Sequence, residues 1–211
     1  MGENRGYDKL KMIVKIVYDN KALQGFKAGW GFSCLIEHNI NLLFDTGGRY
    51  GVLKHNMKRL GINLNDIEAI FISHSHWDHT GGLKKIKLKF KERVYVPPSS
   101  NLEGIKVGEE EFLPNFISTE EINGEQSLIV KNNDNIIIFT GCSHNGLKNV
   151  IKVAEKYGKI YAIIGRFHDF KEVEVLKKYP LIMPCHCTKL KNVIENFENA
   201  VECMVGKVIE I

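Results

Sequence analysis

The chain has 211 residues, of which 44% are hydrophobic and 26% charged, the usual composition of a globular protein long enough to bury a core. Its net charge of +4 comes from lysines spread along the sequence, which argues against a clustered nucleic-acid-binding surface and suits a small anionic substrate. No apolar run reaches the roughly 18 residues that span a bilayer, and residues 1–11 lack the apolar segment of a signal peptide. We therefore expect a cytoplasmic protein with a small-molecule substrate and no nucleic-acid or membrane partner.

Cysteine usage agrees with a reducing compartment. The number is odd and the spacing matches no disulfide framework, which argues against a secreted, disulfide-stapled protein. The five are Cys34, Cys142, Cys185, Cys187 and Cys203.

The first half of the chain predicts short strands and one helix, because apolar runs alternate with turn residues. Strands are expected at 12–18, 32–37, 40–45, 67–73 and 93–96, and a helix at 52–60. Strands 32–37 and 40–45 are predicted to form a hairpin around His38-Asn39. Gly61 follows the helix where a C′ glycine is expected.

The second half repeats this order of strands followed by strand–helix units. Strands are expected at 127–131, 136–140, 160–164, 181–183 and 207–211, and helices at 147–157, 171–179 and 190–197. Residues 103–123 are predicted to be an irregular loop. The pattern predicts two sheets stacked face to face with helices outside. We expect one domain over residues 1–211 with halves at 11–115 and 116–211.

The stretch FISHSHWDHTGGL concentrates metal-binding side chains directly after a predicted buried strand. His74, His76, Asp78 and His79 lie within six residues. Imidazole suits zinc, copper, iron and nickel, and carboxylate suits harder ions. Because four such groups on so short a loop cannot reach one ion without strain, we expect two ions, and Gly81-Gly82 then allow a tight turn.

Three further histidines each follow an apolar strand and a tight turn: His144, His168 and His186. A lone histidine after a strand is usually a hydrogen-bonded loop residue. Beside the cluster at 74–79, all three become candidates for completing a metal site.

The motif His74-x-His76-x-Asp78-His79 resembles the signature of the metallo-β-lactamase superfamily. The segments FDTG at 44–47, TGCSHNG at 140–146 and PCHCT at 184–188 extend the resemblance along the chain. Together with IIGRFH at 163–168, they resemble a subgroup named for 7,8-dihydropterin-6-methyl-4-(β-D-ribofuranosyl)aminobenzene-5′-phosphate synthase, which also includes predicted metal-dependent hydrolases. The resemblance implies an α+β four-layer sandwich (α/β-β/α), with two mixed sheets face to face, helices outside and a dinuclear metal site at one edge.

The resemblance also implies a ligand set for two divalent ions, with zinc favoured and manganese or iron as alternatives. The first ion would be held by His74, His76 and His144, and the second by Asp78, His79 and His186. Asp45 would accept a hydrogen bond from a ligand imidazole and fix its tautomer.

One position departs from the superfamily pattern. Many hydrolases of the superfamily carry an aspartate that bridges the ions, whereas this chain has Arg166 in the corresponding stretch. A guanidinium there suits capture of a phosphate or carboxylate, or else points to solvent. His168 is expected to contact substrate, to carry protons or to complete the metal site.

Two other features have alternative interpretations. Trp77 is expected to face the substrate, where its ring suits an aromatic or pterin-like ligand, or else to pack against the loop. Cys142, Cys185 and Cys187 flank ligand histidines, and we interpret them as companions of the ligands; the alternative is that they bind metal themselves.

The function expected from this set is a metal-dependent hydrolase that uses a metal-activated hydroxide, with Asp78, His186 and His168 as catalytic residues. One alternative, implied by the resemblance, is a synthase or transferase of a methanopterin-type pathway, in which an aryl amine or a ring carbon attacks an activated pterin and pyrophosphate is released. Another is a metal or ligand sensor without turnover. A di-iron oxidoreductase is disfavoured, because that class carries carboxylates where this chain has His79 and Arg166.

Overall fold

Two mixed β-sheets form the centre of the protein, whose computed structural model describes residues 11–86, 93–144 and 146–211. The first sheet contains β1 Ile13–Tyr18, β2 Ser33–Glu37, β3 Asn41–Phe44, β4 Ala69–Phe71, β5 Val94–Val96, β6 Ile105–Lys106 and, at its other edge, β13 Val208–Glu210. Their order across the sheet is β13-β1-β2-β3-β4-β5-β6. The pairs β3–β4, β4–β5 and β5–β6 are parallel, and the others are antiparallel.

The second sheet has the same mixed character. It contains β7 Glu110–Leu113, β8 Phe116–Ser118, β9 Leu128–Asn132, β10 Asn135–Thr140, β11 Lys159–Gly165 and β12 Leu181–Pro184. Their order is β12-β11-β10-β9-β8-β7, in which β10, β11 and β12 are mutually parallel. The described helices are α1 Tyr50–Arg59, α2 Trp77–Thr80, α3 Leu83–Ile86, α4 Leu147–Ala154 and α5 Lys191–Ile194, with 3₁₀ helices at Leu64–Asp66 and Val173–Lys178.

Alternation of side chains along the strands produces four layers. Phe44 and Phe139 face the space between the sheets, where their ring centroids lie 6.1 Å apart. The neighbouring Leu43 faces outward and belongs to the same cluster as the helix α1 residue Leu53. Ile138 of the second sheet likewise clusters with residues of α4 on the opposite outer face. The predicted four-layer sandwich is therefore confirmed.

Parallel pairing brings several strand ends to one edge of the sandwich. Phe44 pairs with Phe71, and Thr140, Gly165 and Pro184 pair in register across the second sheet. Because parallel strands end at the same edge, the loops that follow them converge. These loops carry the histidine motif and the other predicted ligands.

The predicted loop at residues 103–123 is wrong, because it contains β6, β7 and β8. The hairpin of β7 and β8 turns at Pro114-Asn115, and Asn115 has φ of +71°. Strand β7 lies at a sheet edge with glutamates exposed, so its sequence lacks the apolar alternation of a central strand. The turn dipeptide was the available signal.

The helix predicted at 171–179 is a 3₁₀ helix over Val173–Lys178. Val173, Leu176 and Tyr179 are buried, and their spacing of three residues suits a helix with three residues per turn. The helix predicted at 190–197 is shorter, Lys191–Ile194, and the short helices α2 and α3 were not predicted.

None of the helices in the described part of the chain has the length and apolar character of a membrane-spanning segment. Residues 1–10, where no signal peptide is predicted, lie outside the described residues. One domain over 1–211, with halves at 11–115 and 116–211, stays a prediction.

Candidate metal centre

Six predicted ligands and one cysteine converge at the edge where the parallel strands end. Six of these seven residues form two groups, and within each group the potential ligand atoms all lie within 4.8 Å of one another. The groups are His74, Cys142 and His144, and Asp78, His79 and His186. His76 lies beside the first group, with its ring centroid 4.5 Å from that of His74 and 5.0 Å from that of His144. The rings of His79 and His186 are 5.6 Å apart.

A change of backbone conformation within residues 74–79 places their side chains in different ligand groups. His76 is extended, and α2 begins at the next residue, which directs Asp78 and His79 into the buried interior. Gly81 and Gly82 form the predicted tight turn, which joins α2 to α3, and Gly81 has φ of −61°. Its role is close packing, because a Cβ at Gly81 would lie 2.1 Å from the carbonyl oxygen of Gly48.

Asp45 organises two of the imidazoles from its position after β3. Its carboxylate accepts hydrogen bonds from Ser73 N at 2.8 Å, Ser73 Oγ at 2.7 Å and His79 Nδ1 at 2.7 Å. Because the Ser73 hydroxyl gives its proton to Asp45, its oxygen accepts from His74 Nδ1, 2.9 Å away. His79 and His74 thus both carry their proton on Nδ1 and keep the Nε2 lone pair for a ligand.

Burial favours the neutral form of the two imidazoles, because it lowers the pKa of His74 and of His79 to about 3 in each case. Burial also raises the pKa of Asp45 to about 7, although the nearby His74 and the hydrogen bonds from Ser73 oppose this rise and favour the carboxylate. Neutral imidazole is the form that binds metal ions.

His74 Nε2 provides a test of whether a cation fits here. The atom is buried, and within the described residues it has no hydrogen-bond partner. A buried polar atom left unpaired costs about 1–3 kcal/mol. A divalent ion held by the first group would give this nitrogen a partner, so the donor set fits a metal.

His186 gives a second, independent indication. Its backbone N–H donates to Asp19 Oδ1 at 2.6 Å, and its ring Nδ1 donates to Asn20 Oδ1 at 2.8 Å. The Nε2 lone pair then faces Asp78 Oδ2 at 3.1 Å. Two acceptors at this distance require a proton or a cation between them, and a metal ion satisfies both.

Glu125 is a buried carboxylate that the sequence interpretation missed. Its Oε1 accepts from Cys142 N at 2.7 Å and Ser143 N at 2.8 Å, and its Oε2 accepts from His144 N at 2.7 Å. His144 Nδ1 lies 3.0 Å from Oε2. Although burial alone would raise it, the hydrogen bond from the His144 side chain, the nearby His74 and the N–H donors lower the pKa of Glu125 to about 2.

The sequence interpretation missed Asp19 and Asn20 as well as Glu125, and the sequence marks these residues to different degrees. Asp19 and Asn20 follow the apolar strand β1, the same strand-end position that identified the histidines. Glu125 precedes β9 and reaches the site through an isolated bridge with His74, which no local pattern reveals.

Arg166 turns towards the site and is half-buried. Its Nη1 donates to Cys142 Sγ at 2.9 Å, and Cys142 Sγ lies 3.3 Å from His79 Nε2. Burial raises the pKa of the Cys142 thiol well above its usual value, and the Arg166 guanidinium opposes that rise.

The remaining predicted site residues surround the ligand groups. The ring of His168 lies 5.3 Å from that of His144, and its Nδ1 lies 3.0 Å from Asp169 Oδ1. Trp77 is 61% exposed and covers Gly48. Trp30, which the sequence interpretation missed, is 53% exposed and meets the His186 ring edge-on at 4.9 Å.

Backbone strain is concentrated in these loops. Asp45, Ser143, His168 and His186 all have φ between +44° and +58°. Outside the site, the non-glycine residues with positive φ in the described ranges are three asparagines, the residue type that tolerates this region best. Strained residues persist where surrounding contacts over-determine them, and the hydrogen bonds of Asp45 and His186 supply such contacts.

The chain is similar to known proteins over most of its length. The family model of the metallo-beta-lactamase superfamily matches residues 31–141. An uncharacterised protein of Methanocaldococcus jannaschii is 28% identical, with the match covering 94% of this chain and 100% of the relative. The 7,8-dihydropterin-6-methyl-4-(beta-D-ribofuranosyl)-aminobenzene-5′-phosphate synthase of the same organism is 26% identical over 85% of this chain and 89% of that protein. The crystal structure of Tm1679, a metal-dependent hydrolase of the beta-lactamase superfamily, has a TM-score of 0.75 and 26% identity, covering 95% of this chain and 99% of that one.

Proposed function

Since the chain belongs to the metallo-beta-lactamase superfamily, we propose that it is a metal-dependent hydrolase that holds two divalent ions, zinc in first place, in its two ligand groups. The observation that carries this proposal is the buried, unpaired Nε2 of His74 inside the first group, a lone pair that only a cation or a donor would satisfy. The facing acceptors His186 Nε2 and Asp78 Oδ2 support the second ion.

Bound divalent ions would supply Lewis-acid chemistry, polarising the attacked group and lowering the pKa of water to about 7. His74, His76 and His144 would hold the first ion, and Asp78, His79 and His186 the second. Asp45 and Glu125 keep the imidazoles in the tautomers that this requires, so the ligands are oriented before any metal arrives.

His168 is the proposed proton carrier. It lies beside His144 and is partly exposed, so it can exchange a proton with solvent. His186, the other candidate, has a fully buried side chain whose Nδ1 is held by Asn20, with Nε2 facing Asp78. Its proposed role is therefore to hold metal together with Asp78.

The proposed substrate is a small anion that carries a planar ring. Arg166 offers a guanidinium beside the ligand groups, which suits a phosphate or carboxylate. Trp30 and Trp77 expose aromatic faces at the mouth of the site, which suit a planar group.

A second candidate is a synthase that joins an activated dihydropterin to an aryl amine with release of pyrophosphate. It is favoured by the 26% identity to a synthase over 85% of this chain. In that case Arg166 would hold the phosphate groups, and the amine would take the place of water as the attacking group.

Assays with water alone and with a second substrate separate the two candidates. Zinc- or manganese-loaded protein would be assayed with chromogenic carboxylic and phosphodiester substrates, with Asp78→Ala as the inactive comparison. We expect turnover without a second substrate and its loss in the variant. Product formation only when an aryl amine accompanies an activated dihydropterin would transfer the assignment to the synthase. No turnover in either assay would contradict both and favour a sensor.

A further inference from the structure

Cys142 lies between the two ligand groups. Its sulfur belongs to the first group with His74 and His144, all within 4.8 Å of one another, and it also lies 3.3 Å from Nε2 of His79 in the second group. The residue is fully buried, and its N–H is held by Glu125. The cysteine thus has a fixed position at the junction of the groups.

The separation from His79 suits two donors on one ion. With zinc–sulfur and zinc–nitrogen bonds of about 2.3 and 2.0 Å and tetrahedral angles, the two donor atoms would lie about 3.5 Å apart. The observed 3.3 Å between Cys142 Sγ and His79 Nε2 is close to that distance.

The charges beside Cys142 also suit a sulfur that binds metal. Asp78 supplies the carboxylate of the two groups, while Arg166 adds a positive charge at their border. Arg166 Nη1 lies 2.9 Å from Cys142 Sγ, where a guanidinium would stabilise the negative charge of a metal-bound sulfur.

We propose that Cys142 binds metal as a thiolate shared between the two ions, held in place by Arg166. On loading, the S–H bond breaks, the sulfur keeps the electron pair, and the proton leaves to solvent. This proposal rests on the metal binding in the proposed function and favours the alternative interpretation of Cys142, as a ligand and not a companion of the ligands. The competing explanation is a neutral thiol that donates a hydrogen bond to His79.

Cobalt(II) titration of tag-free, metal-free protein tests the proposal, because thiolate bound to cobalt gives an intense near-ultraviolet charge-transfer band. The variants are Cys142→Ser, which keeps the side-chain volume, and Cys142→Ala. The matched control is Cys187→Ser, in the loop that carries His186 but outside both ligand groups. Circular dichroism confirms that each variant is folded.

We expect the band in the parent protein and in Cys187→Ser, growing over both equivalents of cobalt, and its loss in both Cys142 variants. X-ray absorption of the zinc-loaded parent should show a sulfur neighbour at about 2.3 Å. Binding of cobalt by the parent without the band, or a band that survives in Cys142→Ala, would overturn the thiolate ligand and leave the proposed function standing. Failure of the parent to bind cobalt would overturn both.

Discussion

At the floor of the site, made by Asp45, Glu125, His74 and His79, every side chain is fully or almost fully buried, and each has at least one hydrogen-bond or ion-pair contact. At the rim, made by Trp30, Trp77 and His168, side chains are exposed or partly exposed and have few such contacts. Under the proposed function, metal binding would therefore be built into the fold, while substrate selection would depend on residues whose replacement costs little stability. The predictions below test that division, from the largest expected effect to the smallest.

Asp45→Asn should be the most damaging change. The amide cannot accept from Ser73 N, Ser73 Oγ and His79 Nδ1 as the carboxylate does, and each buried donor left unpaired costs about 1–3 kcal/mol. We expect a clear loss of unfolding free energy and a fall in metal affinity of at least about 10–100-fold. Urea unfolding and competition with a chelator measure the two effects. Asp66→Asn, an exposed carboxylate, is the control, and an equal response in both variants would contradict a floor built on Asp45.

Glu125→Gln tests the first ligand group alone. The substitution keeps the shape but weakens acceptance from three N–H groups and from the His144 ring. Metal affinity should fall by about 10–100-fold, chiefly for one of the two ions. Isothermal titration with zinc measures it, with the exposed Glu120→Gln as control. Unchanged binding of both ions would show that His144 does not depend on this carboxylate.

Arg166→Ala tests whether the half-buried guanidinium, which lies between floor and rim, recognises an anionic substrate. Loss of a charged hydrogen bond of about 1.5–3 kcal/mol would raise KM for an anionic substrate by roughly 10–150-fold, with a smaller change for a neutral one. Arg166→Lys should recover part of the effect, since it restores charge without the planar fork. Lys152→Ala, an exposed change on α4, should leave KM unchanged. Equal effects on charged and neutral substrates would contradict anion recognition.

Trp30→Ala and Trp77→Ala should have the smallest effects. An aromatic contact contributes about 0.5–1.5 kcal/mol, so KM for a substrate with a planar ring should rise by roughly 2–10-fold. The loss of unfolding free energy should be smaller than in Asp45→Asn, because both rings are more than half exposed. Val208→Ala, 51% exposed on β13, is the control. Loss of bound metal in either tryptophan variant would contradict the claim that the rim residues do not contribute to metal binding.

Much of the floor could be predicted because its signals are local. Apolar runs marked the central strands, and His74 to His79 form one short segment directly after a strand. Glu125 was harder to find, since it matters only through contacts with His74 and with residues 142–144, which are far away in the sequence. Edge strands such as β7 were not predicted, because an exposed edge strand carries charged residues in place of alternating apolar and polar ones.

Metal content per chain, measured by elemental analysis on tag-free protein, tests the central claim most directly. The parent should bind two ions, and His186→Ala should lose one of them, because His186 belongs to the second group alone. His76→Ala should weaken the other ion, since its ring lies beside His74 and His144. One ion or none in the parent, with no change in His186→Ala, would contradict the account.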